Sequence, residues 1–340
     1  MKDPKLRGAR WGFSTIDLVV LADGVTISDQ TDEPMENSSD TPITVGSSST
    51  SRRIWCGLAA GGVLIAVLGV ATVWVPWNRQ IQALAEVKRL DGMCQTKESK
   101  STFFKLTVRG WAMQGFDTVE KVHVFEPRIK DVNVPKLKGL TALQELWLYD
   151  CHVVDQDLVH FQDFPALRSL ALPLTKVTDT GLIHLSNLTK LKGLWLDSTA
   201  VTNEGLSHLK KLSNLGSLGL SGTAISDAGL SNLTAMRKLQ FLELSDTSVT
   251  DEGLRHLTGL KKLEWLGLER ASVTDVGLLH LSGLTELRWL QLDETDITDR
   301  GLAHLNRMTK LELLDLRGTQ VTRAGETQLR VSLPSCSVLR

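Results

Sequence analysis

The sequence predicts an α/β solenoid in which parallel strands line a concave face and short helices a convex one, preceded by one N-terminal transmembrane helix. Three observations carry this. A 24-residue phrase begins at Leu143, Leu167, Leu191, Leu215, Leu239, Leu263, Leu287 and Leu311 without insertion, and a fixed period of that length marks a stacked-repeat architecture. Within each unit the apolar positions are 1, 4, 6, 11, 16, 19 and 22, for instance Leu239, Leu242, Leu244, Val249, Leu254, Leu257 and Leu260. Positions 4 and 6 keep the two-residue period of a half-buried strand, and positions 16, 19 and 22 form the inner stripe of a short helix. Ahead of the repeats, Ile54 to Trp77 runs for 24 residues without a charge.

Residues 1–53 read as a polar tail, because Gln30 to Ser51 is rich in Ser, Thr, Asp and Pro and offers little to bury. One apolar run, Ile16 to Ala22, interrupts it, and Met35 offers an alternative start. Residues 54–77 are long enough to span a hydrocarbon layer of about 30 Å. Trp55, Trp74 and Trp77 stand at its ends as interfacial aromatics do. Two other readings compete: a buried core helix, and a signal peptide cleaved near Ala83-Leu84-Ala85. The span is long for a signal core and the site lies far beyond it. The immediate Arg52-Arg53 pair places the tail inside and the repeats outside the cytoplasm, although Arg79, Lys88, Arg89 and Lys97 follow the span. Gly57, Gly61 and Gly69 would let two such helices approach closely.

Residues 78–118 are expected to cover the first hydrophobic face of the array. An amphipathic helix over Asn78 to Leu90, with Ile81, Leu84, Val87 and Leu90 on its apolar side, leads into this cap. The repeats then fill residues 119–334, with a degenerate first copy at 119–142 and eight units from Leu143. One unit alone buries too few side chains to offset the entropy of ordering it, so the units must fold as one array. Thr-Asp pairs such as Thr250-Asp251 and Thr274-Asp275 stand where a helix needs a cap and an anion. Gly181, Gly205, Gly229, Gly253, Gly277, Gly301 and Gly325 recur at position 15, where neighbouring backbones are expected to come close. Residues 335–340 form a C-terminal cap, with Pro334 discouraging further strand addition and Arg323 and Glu326 turning the last unit polar.

The phrase LxxLxLxxTxVTDxGLxxLxxLxx resembles the leucine-rich repeats. Thr175, Thr199, Thr223, Thr247, Thr295 and Thr319 stand where many members carry an Asn that bonds the loop backbone. This form is similar to repeats common in bacterial proteins of unassigned role and to those of eukaryotic F-box substrate adaptors, though no F-box pattern is visible. The resemblance implies the solenoid and leaves function open.

Function must therefore come from the faces. With 38 basic and 39 acidic residues the chain is close to neutral, and its expected concavity is acid-rich, so nucleic acid is excluded as a partner. Cys56, Cys94, Cys151 and Cys336 make no disulfide framework. No phosphate loop, metalloprotease motif or nucleophile elbow is present, so neither an enzyme nor a cofactor is expected. His160, His184, His208, His256, His280 and His304 form a convex ladder at position 18. A metal- or proton-binding stripe is one reading, and helix-end packing produced by repeat duplication is the favoured one.

The concave face carries the candidate site. Position 3 reads Phe241, Trp265, Trp289 and Leu313 in successive units, and Trp147, Tyr149 and Trp195 add an aromatic group toward the N-terminal half. Acids surround them, with Glu243, Glu269, Asp293 and Asp315 foremost, against few bases, chiefly Arg270, Arg288 and Arg317. Trp rimmed by charge is the composition of a protein interface. The expected function is a membrane-anchored module that binds a protein or peptide through this face. Rings that merely shield one another, and repeats that self-associate as an envelope component, are the alternatives.

Overall fold

The computed structural model describes residues 79, 81–83, 85–86, 89, 93–97, 118–124 and 132–340. The tail and the apolar segment Ile54 to Trp77 lie outside the described residues. Among the described residues no helix is long and apolar enough to cross a membrane.

Among the described residues, eleven strands form one sheet in chain order. β1 (Met93–Lys97) is antiparallel to β2 (Thr118–Val124). From β2 onward every neighbour is parallel: β3 (Glu145–Leu148), β4 (Ser169–Ala171), β5 (Gly193–Trp195), β6 (Ser217–Gly219), β7 (Phe241–Glu243), β8 (Trp265–Gly267), β9 (Trp289–Gln291), β10 (Leu313–Asp315) and β11 (Ser337–Leu339). Register equals the sequence period, so Trp265 pairs with Trp289 and Leu266 with Leu290. The seven apolar positions fill one continuous core; in the unit from Leu239 all seven are fully buried.

The helices are shorter than an amphipathic α-helix. The segment Asp251–Leu254 passes directly into a 3₁₀ turn at Arg255–Leu257. The three-residue spacing suits either form: Leu254 and Leu257 are buried from this α-to-3₁₀ segment, and Leu278 and Leu281 from the seven-residue α-helix Asp275–Leu281.

The Thr-Asp pair does more than cap. Thr250 and Thr274 do accept from their own helix's N–H groups, but the Asp reaches the following unit. Asp251 accepts from the Thr274 N–H at 2.8 Å and from its hydroxyl at 2.6 Å. Asp155, Asp179, Asp227, Asp275 and Asp299 make the same two bonds to Thr178, Thr202, Thr250, Thr298 and Thr322. Asn203 substitutes by accepting from the Ser226 N–H and donating to its hydroxyl. This ladder dictates the position-15 glycines: a Cβ at Gly277 would collide with Asp251 Oδ1. The close neighbour is thus a carboxylate, where the sequence suggested backbone. In the unit from Leu311, Arg323 stands in place of Asp.

Two further differences concern the ends of segments. Ile81, expected on the buried side of its helix, is 41% exposed, whereas Ala83 joins the core. Glu86, also buried, binds Arg89 at 2.6 Å and accepts from the Asn133 N–H at 3.4 Å, so the helix docks through a polar clasp. The position-9 Thr hydroxyls bond backward to their own strand; Thr247 donates to the Leu244 carbonyl at 2.6 Å.

Candidate functional site

Each strand's odd positions face the concavity, and the sheet register brings position 3, 5 and 7 residues of adjacent units together. Phe241 and Trp265 stack with centroids 4.1 Å apart and planes 11° from parallel. The stripe then changes character. Trp289, paired in register with Trp265 and 37% exposed, takes the Arg288 guanidinium 5.0 Å from its ring centroid. Arg288 is itself held by Glu312 at 2.6 Å. Leu313 follows as a half-buried aliphatic end. Position 3 thus holds one stacked pair, Phe241 and Trp265, and one cation-capped indole, Trp289.

In the N-terminal half Trp147 stacks on His123 at 4.5 Å and meets Trp195 at 5.9 Å, across the small Ala171. Trp147 also donates to the Ser169 hydroxyl at 3.1 Å. Tyr149 is half-buried beside this group.

The acids are not the exposed rim that the sequence suggested. Asp293 and Asp315 are buried, as is Asp197, and Glu243 is half-buried. Asp197 and Glu243 lean over the position-5 glycines of the next unit, Gly219 and Gly267, where no side chain stands in the way. Arg317 clamps Asp315 at 2.5 Å. Arg270 spans Asp246 at 2.6 Å and Glu269. Asp197 and Glu243 have no such cation. Asp197 accepts from the Ser221 N–H at 2.9 Å, and Glu243 from the Ser245 N–H at 2.8 Å. Burial pushes the Asp197 carboxyl up to about 6. Burial, reinforced by the charges of Asp197 and Glu269, pushes Glu243 up to about 7. Glu269 and Asp293 are raised as well, first by burial and then by acidic neighbours.

Sequence reasoning missed two features of this face. Gly219 and Gly267, at position 5, are the places over which Asp197 and Glu243 fold; glycine among inward-facing residues was the available signal. Position 8, where each strand turns away, is left-handed in all eight units, with φ of 51–57° at Asp150, Leu174, Ser198, Asp246, Arg270 and Glu294, and glycine only at Gly222 and Gly318. On the convex side, the described residues contain no group of three or more His, Cys, Asp or Glu placed to hold a metal.

A model described as Leucine Rich repeat matches residues 235–257. The match falls on one unit of the array, whose register repeats at every unit, so the chain carries leucine-rich repeats. Among solved structures it is similar to an internalin of Listeria monocytogenes, with 21% identity, 61% of this chain and 63% of that one covered, and a TM-score of 0.47. It is also similar to internalin C2 of the same organism, with 24% identity, 61% and 81% covered, and a TM-score of 0.49. The chain thus spans less than two thirds of the first internalin's length. No curated protein matches it.

Proposed function

We propose that this protein is a binding module that captures a protein or peptide segment on its concave face, through Phe241, Trp265, Trp289 and Leu313 with the acids beside them. The observation that carries the reading is the Phe241–Trp265 stack lying beside Glu243, a carboxylate without a countercharge. Large rings held rigidly by a sheet lose little entropy on binding, and a desolvated charge next to them selects for its complement. Trp147, Tyr149 and Trp195 extend the surface toward the N-terminal half. The apolar segment Ile54 to Trp77 would anchor the module in a membrane with the repeats outside the cytoplasm, and a reporter fused after Arg340 that works only in the cytoplasm would reverse that orientation.

The test is crosslinking from the concave face in native membranes, repeated with Trp265→Ala and Trp289→Ala together. The expected outcome is loss of the crosslinked partner with an unchanged thermal melt, because both rings lie outside the leucine core. Capture that survives both substitutions would sink the reading.

A further inference from the structure

Position 5 alternates along the concave face between side chains and gaps. Asp197 leans over the first gap, so that its Oδ2 lies 2.6 Å from where a Cβ of Gly219 would stand, with Trp195 Cδ1 at 2.7 Å. Two units on, Glu243 and Trp265 share the second gap, with Oε2 and the indole Cη2 each 2.6 Å from the same point over Gly267. Two units further, position 5 is Asp315 itself. Each gap therefore holds a carboxylate beside an indole. Asp197 is 6% exposed and its Oδ2 has no hydrogen-bond partner. A buried carboxylate oxygen without a donor is costly, and a cation supplied from outside removes that cost.

The charged groups around the seats supply no such cation. Glu243 faces Asp197 and Glu269. Glu269 faces Asp246, Asp293 and Glu294 together with Arg270, whose guanidinium is already committed to Asp246 and Glu269.

Resting on the reading of this face as a protein-binding surface, we propose that the Gly219 and Gly267 seats take up lysine or arginine side chains, three residues apart, from an extended partner segment. Parallel strands lie about 4.8 Å apart, so seats two units apart are separated by about 10 Å. A polyproline-II segment rises about 3.1 Å per residue with three residues per turn, which returns the same side of the chain after about 9 Å. The aliphatic stem of each basic residue packs on the indole while its head meets the carboxylate. Cation capture draws the proton from each carboxyl, so affinity must rise with pH across the range where Asp197 and Glu243 titrate.

The experiment uses the full chain and two fluorescein-labelled peptides of one composition, with arginine at every third position of a Pro/Ser-rich sequence or with the same arginines consecutive. Anisotropy titrations should show the spaced peptide binding about tenfold tighter at pH 8, and losing about tenfold of its affinity at pH 5. The Asp197→Asn, Glu243→Gln variant should lose both preferences; it keeps the side-chain shapes and removes buried charge, and its melting temperature reports that it folds. Equal affinity for the two peptides, or binding indifferent to pH, overturns the proposal. So does a partner crosslinked at Trp265 that carries no basic segment, which leaves the binding module intact. Peptide-independent dimers that dissociate in the variant would also overturn it, by showing that a second copy supplies the cation.

Discussion

The two faces of the solenoid use the same side chain to opposite ends. On the convex side every ladder carboxylate receives two donors from the next unit, as Asp155 does from the N–H and hydroxyl of Thr178. Burial alone would raise Asp155, but hydrogen bonds from Thr178 and Thr180 outweigh it and hold the carboxyl below its usual value. Asp299 is lowered by Thr322 in the same way. On the concave side Asp197 takes only backbone N–H groups and Glu243 only groups of Ser245, and burial outweighs them, pushing the two up to about 6 and about 7. A carboxylate fully supplied with donors holds the array together; one left short is an unsettled charge, and unsettled charge on an accessible face is what a partner can act upon.

The largest effect expected from this contrast is on the ladder. Asp251→Ala leaves the Thr274 N–H and hydroxyl without their acceptor and should cost about 2–3 kcal/mol, read as a lower urea midpoint. A change of sign is expected on the other face. Glu243→Gln should stabilise the protein at pH 8 by on the order of 2 kcal/mol and do nothing near pH 4. An acid whose folded value lies above its unfolded one favours the fold below the unfolded value and loses that contribution as pH rises through the folded one. For Glu243 the window runs from 4.5 to about 7. Asp155 behaves inversely: its stability is present above its unfolded value of 3.8 and lost as pH falls through its depressed one. Urea midpoints of the wild type and Glu243→Gln that run parallel from pH 4 to pH 8 would erase the distinction between the faces.

Much of the fold was legible because a repeated residue must do a repeated job. The strand phrase, the seven core positions and the 24-residue register follow from periodicity. What periodicity hides is the partner of each polar residue. Thr250-Asp251 reads as a cap from one unit alone; only the neighbour 23 residues away shows Asp251 reaching Thr274. The candidate face was legible as a set of aromatic and acidic residues, while their mutual arrangement was not. Adjacent indoles at one offset need not stack, since Arg288 competes for Trp289. Asp197 and Glu243 fold over the glycines of the next unit, which buries acids that alternation alone had placed in solvent.

The smallest expected effect isolates the turn that joins the two faces. Leu174 sits at φ 57° and is 44% exposed, at the offset that Gly222 and Gly318 occupy in their own units. A left-handed conformation brings Cβ against the backbone, which costs about 1–2 kcal/mol for a residue such as leucine, and glycine escapes this while giving up about 0.5–1 kcal/mol of chain entropy. The Leu174 N–H bond to the Asp197 carbonyl, 2.9 Å, does not involve the side chain. Leu174→Gly should therefore stabilise by a few tenths to about 1 kcal/mol, and by the same amount at pH 4 and pH 8, because it alters no carboxylate. A gain that varied with pH would mean that the turn conformation is coupled to the Asp197 charge beneath it, and the two faces would then no longer be independent.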